Sequence, residues 1–315
     1  MVAQLVTQDV TVNRQNYIGG SDIAAVMGKS RWKTPLKLWL EKTQKLEPQI
    51  TNPEAVEMGQ RLEQFVADLF AVKTGKSVRR APKAYQHPQY PYMVAHVDRL
   101  VTGTDELLEC KTTSAFKKDE WEGEEIPQEY ILQVMWYLGI TGRKVGHIAV
   151  LIGGQTFKYK KIEFDQELFD IMVEAAKDFW GKIQTKTAPA VSADDDDTLK
   201  NLYGGEHTDI IIDLFPTDET SAVATAAFEE RVAYLQEVKA HIQELEKEKK
   251  ELENGIKDVI KENLGIKTPK YLITWKNQNG GFTYDKEQML SDGVFEKYAT
   301  QTTFRRLNIG KNKEK

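Results

Sequence analysis

The order in which strand-like and helix-like segments follow one another constrains the fold of this chain most. A pair of short helices interrupted between Ser30 and Pro35 precedes a longer amphipathic helix that should end just before Gly75. The later segments alternate between strand and helix patterns, at residues 92–102, 106–112, 127–139, 145–152, 155–164 and 165–182. Helices that separate strands cover the faces of one sheet, so this order predicts an α/β fold, a mixed sheet flanked by helices.

Local signals place several of these elements. Residues 54–73 carry apolar side chains at helical spacing, namely Met58, Leu62, Phe65 and Leu69. Pro127 suits the first turn of a helix, because that position needs no backbone N–H. Gly153 and Gly154 suit the turn of a hairpin.

The last third of the chain has a different pattern. The acidic run at residues 193–197 follows Pro189 and predicts a linker. Beyond it, apolar residues recur every three or four positions, which predicts a long amphipathic or coiled-coil helix with Lys249 in one apolar slot: Phe228, Val232, Leu235, Val238, Ile242, Leu245, Leu252, Ile256 and Val259. A hairpin is predicted at 271–284 around Gly280 and Gly281. We therefore expect a domain at 1–190, an acidic linker at 191–216 and a helix-plus-hairpin tail at 217–315.

Composition excludes several classes of protein. Cys110 is the only cysteine of the 315 residues, so one chain forms no internal disulfide and no cysteine-based zinc or iron–sulfur site. No run of 18 apolar residues predicts a membrane span. The N-terminal residues lack the basic start and apolar core of a signal peptide, so a reducing cytoplasm is the expected location.

The charge distribution indicates where a polyanion would bind. Residues 1–190 carry 25 basic and 24 acidic side chains, whereas residues 191–315 carry 18 and 24. Two basic clusters lie in the first segment: Lys29, Arg31, Lys33, Lys37, Lys42 and Lys45, and then Lys73, Lys76, Arg79, Arg80 and Lys83. We expect a polyanion to meet this segment, with ordinary solvated surface as the alternative for each cluster.

Two carboxylates and a lysine form the central candidate site. Strand alternation over 92–101 puts Asp98 on the face of Val94, His96 and Leu100, and alternation over 106–112 puts Glu109 and Lys111 on one face. Adjacent carboxylates repel unless a cation lies between them, and Mg²⁺ prefers such oxygen ligands. Lys111 would then hold or help deprotonate a water, or stabilise charge on a phosphate. The alternative is an exposed charged strand edge.

Two helices offer further polar side chains. Glu63 shares the helix face of Gly59, Val66 and Phe70, at the edge of the apolar stripe, where a carboxylate needs a partner such as a metal or its water. Pairing with Arg61 or a lysine is the alternative. Gln133 shares a face with Tyr130 and Tyr137, where it would bind a nucleophilic water or a phosphate, or lie at the edge of the core.

These motifs, in this order, resemble a known family. The segments that carry the likeness are Ile18-Gly-Gly-Ser-Asp-Ile-Ala-Ala-Val-Met-Gly28, Arg31-Trp-Lys-Thr-Pro35, Leu38-Trp39, Gly59-Gln-Arg-Leu-Glu63, Asp98, Glu109-Cys-Lys111 and Gln133-Val-Met-Trp-Tyr137. They are similar to the motif set of the YqaJ-type viral recombinases, phage-encoded relatives of lambda exonuclease, over about residues 14–190. The tail, with Ile273-Thr-Trp-Lys276 and Thr303-Phe-Arg-Arg306, resembles that of longer family members.

The resemblance implies a fold and an activity. It implies a restriction-endonuclease-like PD-(D/E)xK core that digests one strand of linear duplex DNA from 5′ to 3′, with Mg²⁺ as the cofactor and Mn²⁺ as a substitute. It also implies recombination through the 3′ overhang, a single-strand annealing partner of the RecT or Red-beta type, and a homo-oligomer such as a trimeric ring. The helical tail has no counterpart in lambda exonuclease, which weakens the expectation of a trimer.

The resemblance also assigns roles to individual residues. Asp98, Glu109 and the backbone carbonyl of Cys110 would bind the metal, and Lys111 would be the catalytic lysine. Glu63 and Gln133 would be the helix acid and the glutamine of the catalytic set, and Tyr137 would belong to the DNA-contacting residues. Arg14 and Ser21 have the seven-residue spacing of the pair that binds a terminal 5′-phosphate, although Ser21 would also serve as a plain N-cap. His96 stands where lambda exonuclease has a serine, which argues against a phosphate role there.

Two other functions remain open, and the cysteine count argues against a third. The same core would serve a nicking or structure-specific endonuclease. A single-strand exonuclease with an iron–sulfur cluster would need more cysteines than this chain has. A non-enzymatic adaptor would use the helix at 217–263 as its binding surface, and that helix would otherwise pack on the nuclease core or on a second copy.

Overall fold

The computed structural model describes residues 4–6, 14–49, 52–81, 84–205, 211–277 and 285–294. The chain divides into two compact units, Met1–Gly205 and Glu206–Lys315. The described elements of the first unit are β1 (Gln4–Val6), α1 (Gly20–Val26), α2 (Pro35–Lys42), α3 (Pro53–Thr74), β2 (Val78–Arg80), β3 (Ala84–Gln86), β4 (Val94–Ala95), β5 (Arg99–Val101), β6 (Glu106–Thr113), α4 (Gln128–Thr141), β7 (Val145–Ile152), β8 (Thr156–Glu163), α5 (Gln166–Gln184) and α6 (Asp196–Tyr203). This unit also has 3-10 turns at 14–16, Ala115–Trp121 and Ala193–Asp195.

A five-stranded mixed sheet organises the first unit, in the order β2-β5-β6-β7-β8. The β6–β7 pair is parallel and α4 connects these two strands, whereas the other pairs are antiparallel. A smaller antiparallel sheet has the order β1-β3-β4. This architecture confirms the predicted mixed sheet flanked by helices.

The strands bury opposite sets of side chains on the two faces of the sheet. On one face, Leu107 and Ile148 belong to the large core that also includes residues of α1, α2, α4 and α5. On the other face, Leu108 and Ala149 pack with Val66 and Phe70 of α3. Because successive residues of a strand point to opposite faces of the sheet, Leu107, Glu109 and Lys111 of β6 lie on the face that α4 covers.

Sequence signals placed several element ends correctly. Gly75 ends α3 with φ of 71°, the left-handed conformation that glycine adopts without strain. Pro127 is the N-cap of α4, one residue before the first turn in which the sequence placed it. Gly153 and Gly154, with φ of 57° and 71°, connect β7 to β8.

The predicted strand at 92–102 is wrong as a single element. β4 pairs with β3 in the small sheet, whereas β5 pairs with β2 and β6 in the large one. The chain therefore leaves one sheet and enters the other between Ala95 and Arg99. Alternation within one strand cannot signal such a crossing, because the side-chain period is the same on both sides of it.

The apolar stripe predicted for α3 is also displaced. Val66, Ala67 and Phe70 are the buried residues of this helix. Met58 and Phe65 are about half exposed, at 50% and 49%. The sheet is covered by the neighbouring helix face, the one that carries Gly59 and Glu63.

The acidic run at 193–197 does not form the predicted linker. It starts the 3-10 turn and α6, and Asp195 is fully buried. The Asp195 carboxylate accepts hydrogen bonds from the Thr34 hydroxyl and from the backbone and hydroxyl of Ser192. These hydrogen bonds stabilise the buried Asp195 carboxylate, and a count of charged residues cannot predict them because their donors are uncharged.

The second unit contains a long helix, α7 (Glu219–Ile260), then β9 (Gly265–Lys267), β10 (Leu272–Thr274) and α8 (Lys286–Ser291). Asp218 caps α7, accepting from the Ser221 amide. Apolar residues of the predicted stripe lie on its surface, with Leu245, Leu252 and Val259 each more than 60% exposed. β10 pairs with β9, so its hairpin partner precedes it in the chain. The predicted turn at Gly280 and Gly281 lies outside the described residues.

No described helix is both long enough and apolar enough to cross a lipid bilayer.

Candidate active site

Asp98 and Glu109 bring two carboxylates together at the edge of the sheet's α4 face. Glu109 lies on β6 and is 3% exposed, and Asp98 lies just before β5. The Asp98 Oδ2 atom accepts a hydrogen bond of 2.8 Å from the Cys110 backbone N–H. Burial, followed by the charge of Glu109, raises the pKa of Asp98 well above its ordinary value. The two carboxylates therefore repel each other when no cation is bound.

Glu109, Lys111 and Gln133 form a hydrogen-bonded network between β6 and α4. The Lys111 Nζ atom lies 2.7 Å from Glu109 Oε1 and donates to Gln133 Oε1 at 2.9 Å. The Gln133 Nε2 atom donates to Glu109 Oε1 at 2.7 Å. Each member holds the other two, so the network fixes the positions of all three side chains.

The environment of Lys111 keeps it charged in the metal-free protein. Burial alone would lower the pKa of Lys111, but the charge and hydrogen bond of Glu109 outweigh it and the pKa is raised. The Nζ atom also lies 5.0 Å from the centre of the Tyr130 ring, which stabilises a cation. Lys111 is therefore suited to stabilise negative charge more than to accept a proton.

Tyr137 completes this network. Its hydroxyl accepts from Gln133 Nε2 at 2.8 Å, and its ring lies against Gly20 of α1. A Cβ atom at Gly20 would lie only 2.3 Å from the Tyr137 ring, so the close approach of α1 to α4 requires glycine. The structure thus places Tyr137 between the catalytic candidates and the start of α1, where Ser21 follows Gly20.

Glu63 is connected to the site through Arg99. Arg99 is 2% exposed, and its Nη1 atom pairs with Glu63 Oε1 at 2.5 Å and donates to the Asp98 backbone carbonyl at 2.8 Å. Its Nη2 atom donates to Gln64 at 3.0 Å. Arg61, the partner suggested by sequence, instead pairs with Glu57. Glu63 therefore braces the Asp98 backbone, and its carboxylate is held by a cation.

Cys110 points away from the other candidates. Its side chain packs with the core on the α3 side, whereas Glu109 and Lys111 lie on the opposite face. Burial, followed by the charge of Asp98, raises the pKa of the thiol. The thiol is therefore no metal ligand, and the backbone carbonyl remains the predicted one.

Arg14 and Ser21 meet as their spacing predicted. The Arg14 Nη2 atom donates to Ser21 Oγ at 2.7 Å, and both side chains reach solvent. The N-cap of α1 is Gly19, so Ser21 is not the capping residue. The side chain of Ser21 is therefore available to an outside ligand.

A buried ion pair supports this arrangement from beneath. Lys42 donates to Asp22 Oδ2 at 2.8 Å, to the Tyr17 carbonyl at 2.6 Å and to the Arg14 carbonyl. Asp22 Oδ2 also accepts from the Gly19 N–H at 3.1 Å. Lys42 and Arg14 line one pocket of about 480 Å³. Lys42 therefore anchors the backbone that carries Arg14.

The donor atoms fit a hard divalent cation. The Glu109 Oε2 atom is buried and has no hydrogen-bond partner among the described residues. The raised pKa of Asp98 shows that its ionised form is destabilised next to Glu109, and a bound cation would stabilise that form. Mg²⁺ takes one or two carboxylates and fills its other positions with water or phosphate oxygens. No group of three or more Asp, Glu, His or Cys side chains arranged to hold a metal ion occurs among the described residues. With two carboxylates as its side-chain ligands, Asp98 and Glu109, the ion would complete its coordination with water, phosphate or backbone oxygens.

Comparison with known proteins identifies the family. The chain is 39% identical over 305 residues to a Bacillus subtilis (strain 168) protein described as "Uncharacterized protein YqaJ", covering 95% of this chain and 92% of that protein. The chain belongs to the YqaJ family. The YqaJ-like viral recombinase domain matches residues 11–144, which include all the candidate site residues.

Two solved structures are similar to part of this chain. An alkaline exonuclease, LHK-Exo from Laribacter hongkongensis, is 21% identical with a TM-score of 0.49, covering 56% of this YqaJ-family chain and 92% of that one. A phage-related exonuclease from Haemophilus somnus 129PT is 14% identical with a TM-score of 0.44, covering 55% and 96%.

Sequence reasoning missed two residues of this YqaJ-family site. Arg99 lies within the predicted strand at 92–102, to which the sequence assigned no charged contact at this position. Lys42 belongs to the first basic cluster, for which the sequence predicted a surface that binds a polyanion or solvent. A signal existed for Arg99: a cation at an inward strand position needs a carboxylate, and Glu63 was already in need of a partner. For Lys42, nothing local distinguished it from its neighbours.

Proposed function

We propose that this chain is a Mg²⁺-dependent exodeoxyribonuclease that digests one strand of linear duplex DNA from its 5′ end. The observation that carries the proposal is the pair of neighbouring carboxylates, half-buried Asp98 and buried Glu109, with a Glu109 oxygen that has no hydrogen-bond partner among the described residues. Lys111 and Gln133 are held beside them. Family membership supports a role in DNA recombination.

The residues of the site have separable roles in phosphodiester hydrolysis. A bound Mg²⁺ would lower the pKa of a coordinated water and neutralise charge on the scissile phosphate. Lys111, held charged by Glu109, stabilises the negative charge that builds up on the phosphate as water attacks. Gln133 orients the Glu109 carboxylate and offers its amide to the water or to a phosphate oxygen. Hydrolysis adds the water oxygen to phosphorus and releases the 3′ oxygen of the leaving nucleotide.

The 5′ polarity rests on Arg14 and Ser21. A guanidinium and a hydroxyl 2.7 Å apart at the surface match the oxygens of a terminal phosphate. The contact between Tyr137 and Gly20 holds this pair close to the catalytic network. A strand whose 5′-phosphate binds here would present its first phosphodiester bonds towards Asp98 and Glu109.

The wider assembly is proposed from the family resemblance. The 3′ overhang would receive an annealing protein of the RecT or Red-beta type, and the chain would act as a homo-oligomer, possible forms including a trimeric ring, in the cytoplasm. Mn²⁺ would replace Mg²⁺ at a site of two carboxylates.

A digestion time course tests the reaction. Linear duplex labelled at either the 5′ or the 3′ end is incubated with Mg²⁺ beside a covalently closed circle. We expect rapid release of the 5′ label, slow loss of the 3′ label and an intact circle. Cleavage of the circle would favour the alternative, an endonuclease on the same core.

Arg14→Ala tests the polarity. We expect the variant to lose the preference for 5′-phosphorylated over 5′-hydroxyl ends, because the guanidinium no longer contacts the phosphate. The matched control is Arg61→Ala, since Arg61 is an exposed arginine whose ion pair, with Glu57, lies on its own helix. The assignment is wrong if wild type degrades both kinds of end equally.

A further inference from the structure

Trp32 is an exposed aromatic side chain with two cations beside its ring, and a second exposed aromatic residue, Phe116, precedes one of those cations in sequence. Trp32 is 59% exposed and Phe116 is 99% exposed. The Lys117 Nζ atom lies 4.4 Å from the centre of the Trp32 ring, and the Arg31 guanidinium carbon lies 5.7 Å from it. We call Trp32, Phe116 and Lys117 the aromatic rim.

The rim is held in place by ion pairs of Arg31. Its Nη1 atom lies 2.7 Å from both carboxylate oxygens of Glu120, and its Nε atom lies 2.5 Å from Glu129. Glu120 belongs to the same 3-10 turn as Phe116 and Lys117, and Glu129 belongs to α4. The loop that carries Trp32 is thereby joined to both elements.

A chain of contacts joins the rim to the catalytic network. Tyr130, next to Glu129, stacks on Trp121 with ring centres 5.6 Å apart, and Trp121 ends the turn that carries the rim. Tyr130 also contacts the catalytic network, because the Lys111 Nζ atom lies 5.0 Å from the centre of its ring. Successive contacts through Glu129, Tyr130 and Trp121 therefore connect the rim to the side of the candidate site where Lys111 lies.

The chemistry of the rim matches a nucleotide. An exposed aromatic ring stacks on any base, and an adjacent ammonium group pairs with the phosphate that follows it. A base has a free face only at a duplex end or in an unpaired strand, because neighbouring bases cover both faces inside a duplex. We propose that the aromatic rim binds the terminal or unpaired base of the DNA end by stacking on Trp32. This inference rests on the proposed function and adds a base-binding subsite to it.

Binding to DNA with and without ends tests the subsite. The full-length wild type and the Trp32→Ala, Trp32→Phe and Phe116→Ala variants are compared on a short linear duplex and on a closed circle, with EDTA to prevent hydrolysis. We expect Trp32→Ala to weaken binding to the linear duplex by about tenfold, the size of one base–aromatic stack, and to leave binding to the circle unchanged. Trp32→Phe should keep most of the affinity.

A fluorescent base reports the stack directly. With 2-aminopurine at the 5′-terminal or the 3′-terminal position, wild type should quench the fluorescence at one of these positions, and Trp32→Ala should not. Trp275→Ala is the matched control, because Trp275 is another exposed tryptophan, 52% exposed, in the second unit. Its binding and quenching should equal those of wild type.

The outcomes separate this subsite from the proposed function. Equal binding of wild type and Trp32→Ala to linear DNA, or equal quenching, overturns the subsite while leaving the nuclease assignment intact. An equal loss on linear and circular DNA overturns it too, since a general contact needs no free base. If wild type shows no Mg²⁺-dependent digestion, the proposed function fails independently of these binding measurements.

Discussion

At the scale of single residues, buried charge dominates this structure. Glu109, Asp22 and Lys42 are buried and Asp98 is half-buried, so each of these charges needs a partner of opposite charge. Asp22 and Lys42 have each other, whereas Asp98 and Glu109 have between them only Lys111. Asp98 and Glu109, which carry more negative than positive charge, form the candidate metal site. Asp22 and Lys42, whose charges cancel, support the backbone of Arg14.

Asp98→Asn should abolish digestion and stabilise the metal-free protein. The amide removes the repulsion from Glu109 and keeps an oxygen for the Cys110 N–H. Without divalent ions, we expect the Tm to rise by about 2–4 °C, as about 1 kcal/mol does in a unit of this size. Adding Mg²⁺ should raise the Tm of wild type and leave that of the variant unchanged.

The pH dependence checks the cause of this stabilisation. The folded protein holds the pKa of Asp98 above that of the unfolded chain, so its ionisation destabilises the fold as the pH rises. The difference in Tm between variant and wild type should therefore grow above about pH 4, the ordinary pKa of aspartate. A difference that is constant with pH would contradict the electrostatic explanation.

Lys42→Met should destabilise the fold strongly. It leaves the buried Asp22 carboxylate with the exposed Arg14 guanidinium, 3.8 Å away, as its remaining cationic partner, and it removes the donor to the Arg14 and Tyr17 carbonyls. We expect a loss of about 3–5 kcal/mol in urea unfolding, as for other broken buried pairs. Lys182→Met is the control, because its pair with Asp178 lies on the surface and should contribute far less. Similar losses in both variants would refute the special role of burial.

At the scale of elements, the site depends on how closely α1, α4 and β6 approach one another. The β6 strand presents Glu109 and Lys111, α4 adds Gln133 and Tyr137, and α1 approaches at Gly20. No one of these elements contains the site. A change that moves one helix should therefore affect both stability and catalysis.

Gly20→Ala tests the helix approach. The added methyl group would lie 2.3 Å from the Tyr137 ring, so α1 must move or Tyr137 must leave Gln133. We expect a loss of about 1–3 kcal/mol, typical of overpacking, together with slower digestion. Gly181→Ala in α5 is the control, since its added methyl group meets nothing within 4 Å and should stabilise the helix by up to about 1 kcal/mol. Equal effects of the two substitutions would show that packing at Gly20 is unimportant.

At the scale of the whole molecule, every candidate site residue lies in the unit Met1–Gly205. The three buried apolar clusters that the structure describes also belong to this unit. The second unit has a long helix whose apolar stripe faces solvent. Catalysis and this exposed helix thus belong to separate parts of the chain.

A chain that ends after Gly205 should fold without the second unit. We expect a single cooperative thermal transition and an increase in Tm when Mg²⁺ is added, because the core and both carboxylates are present. Calorimetry with and without Mg²⁺ measures both. Loss of cooperative unfolding would show that the second unit supplies necessary contacts.

The sequence alone determined the local elements and the residue types of the site. Gly75, Pro127 and the Gly153–Gly154 turn set element ends through backbone geometry, which depends only on neighbouring residues. Alternation along β6 put Glu109 and Lys111 on one face, because the side-chain direction in a strand is fixed by its period of two.

Only the tertiary structure decided which charges are buried and what they contact. Lys42 meets Asp22, and Arg99 meets Glu63, across separations of 20 and 36 residues. The crossing between the two sheets at 96–98 and the burial of Asp195 likewise depend on elements far along the chain. Periodicity and composition describe neighbours in sequence, whereas the electrostatic free energy of a buried charge depends on neighbours in space.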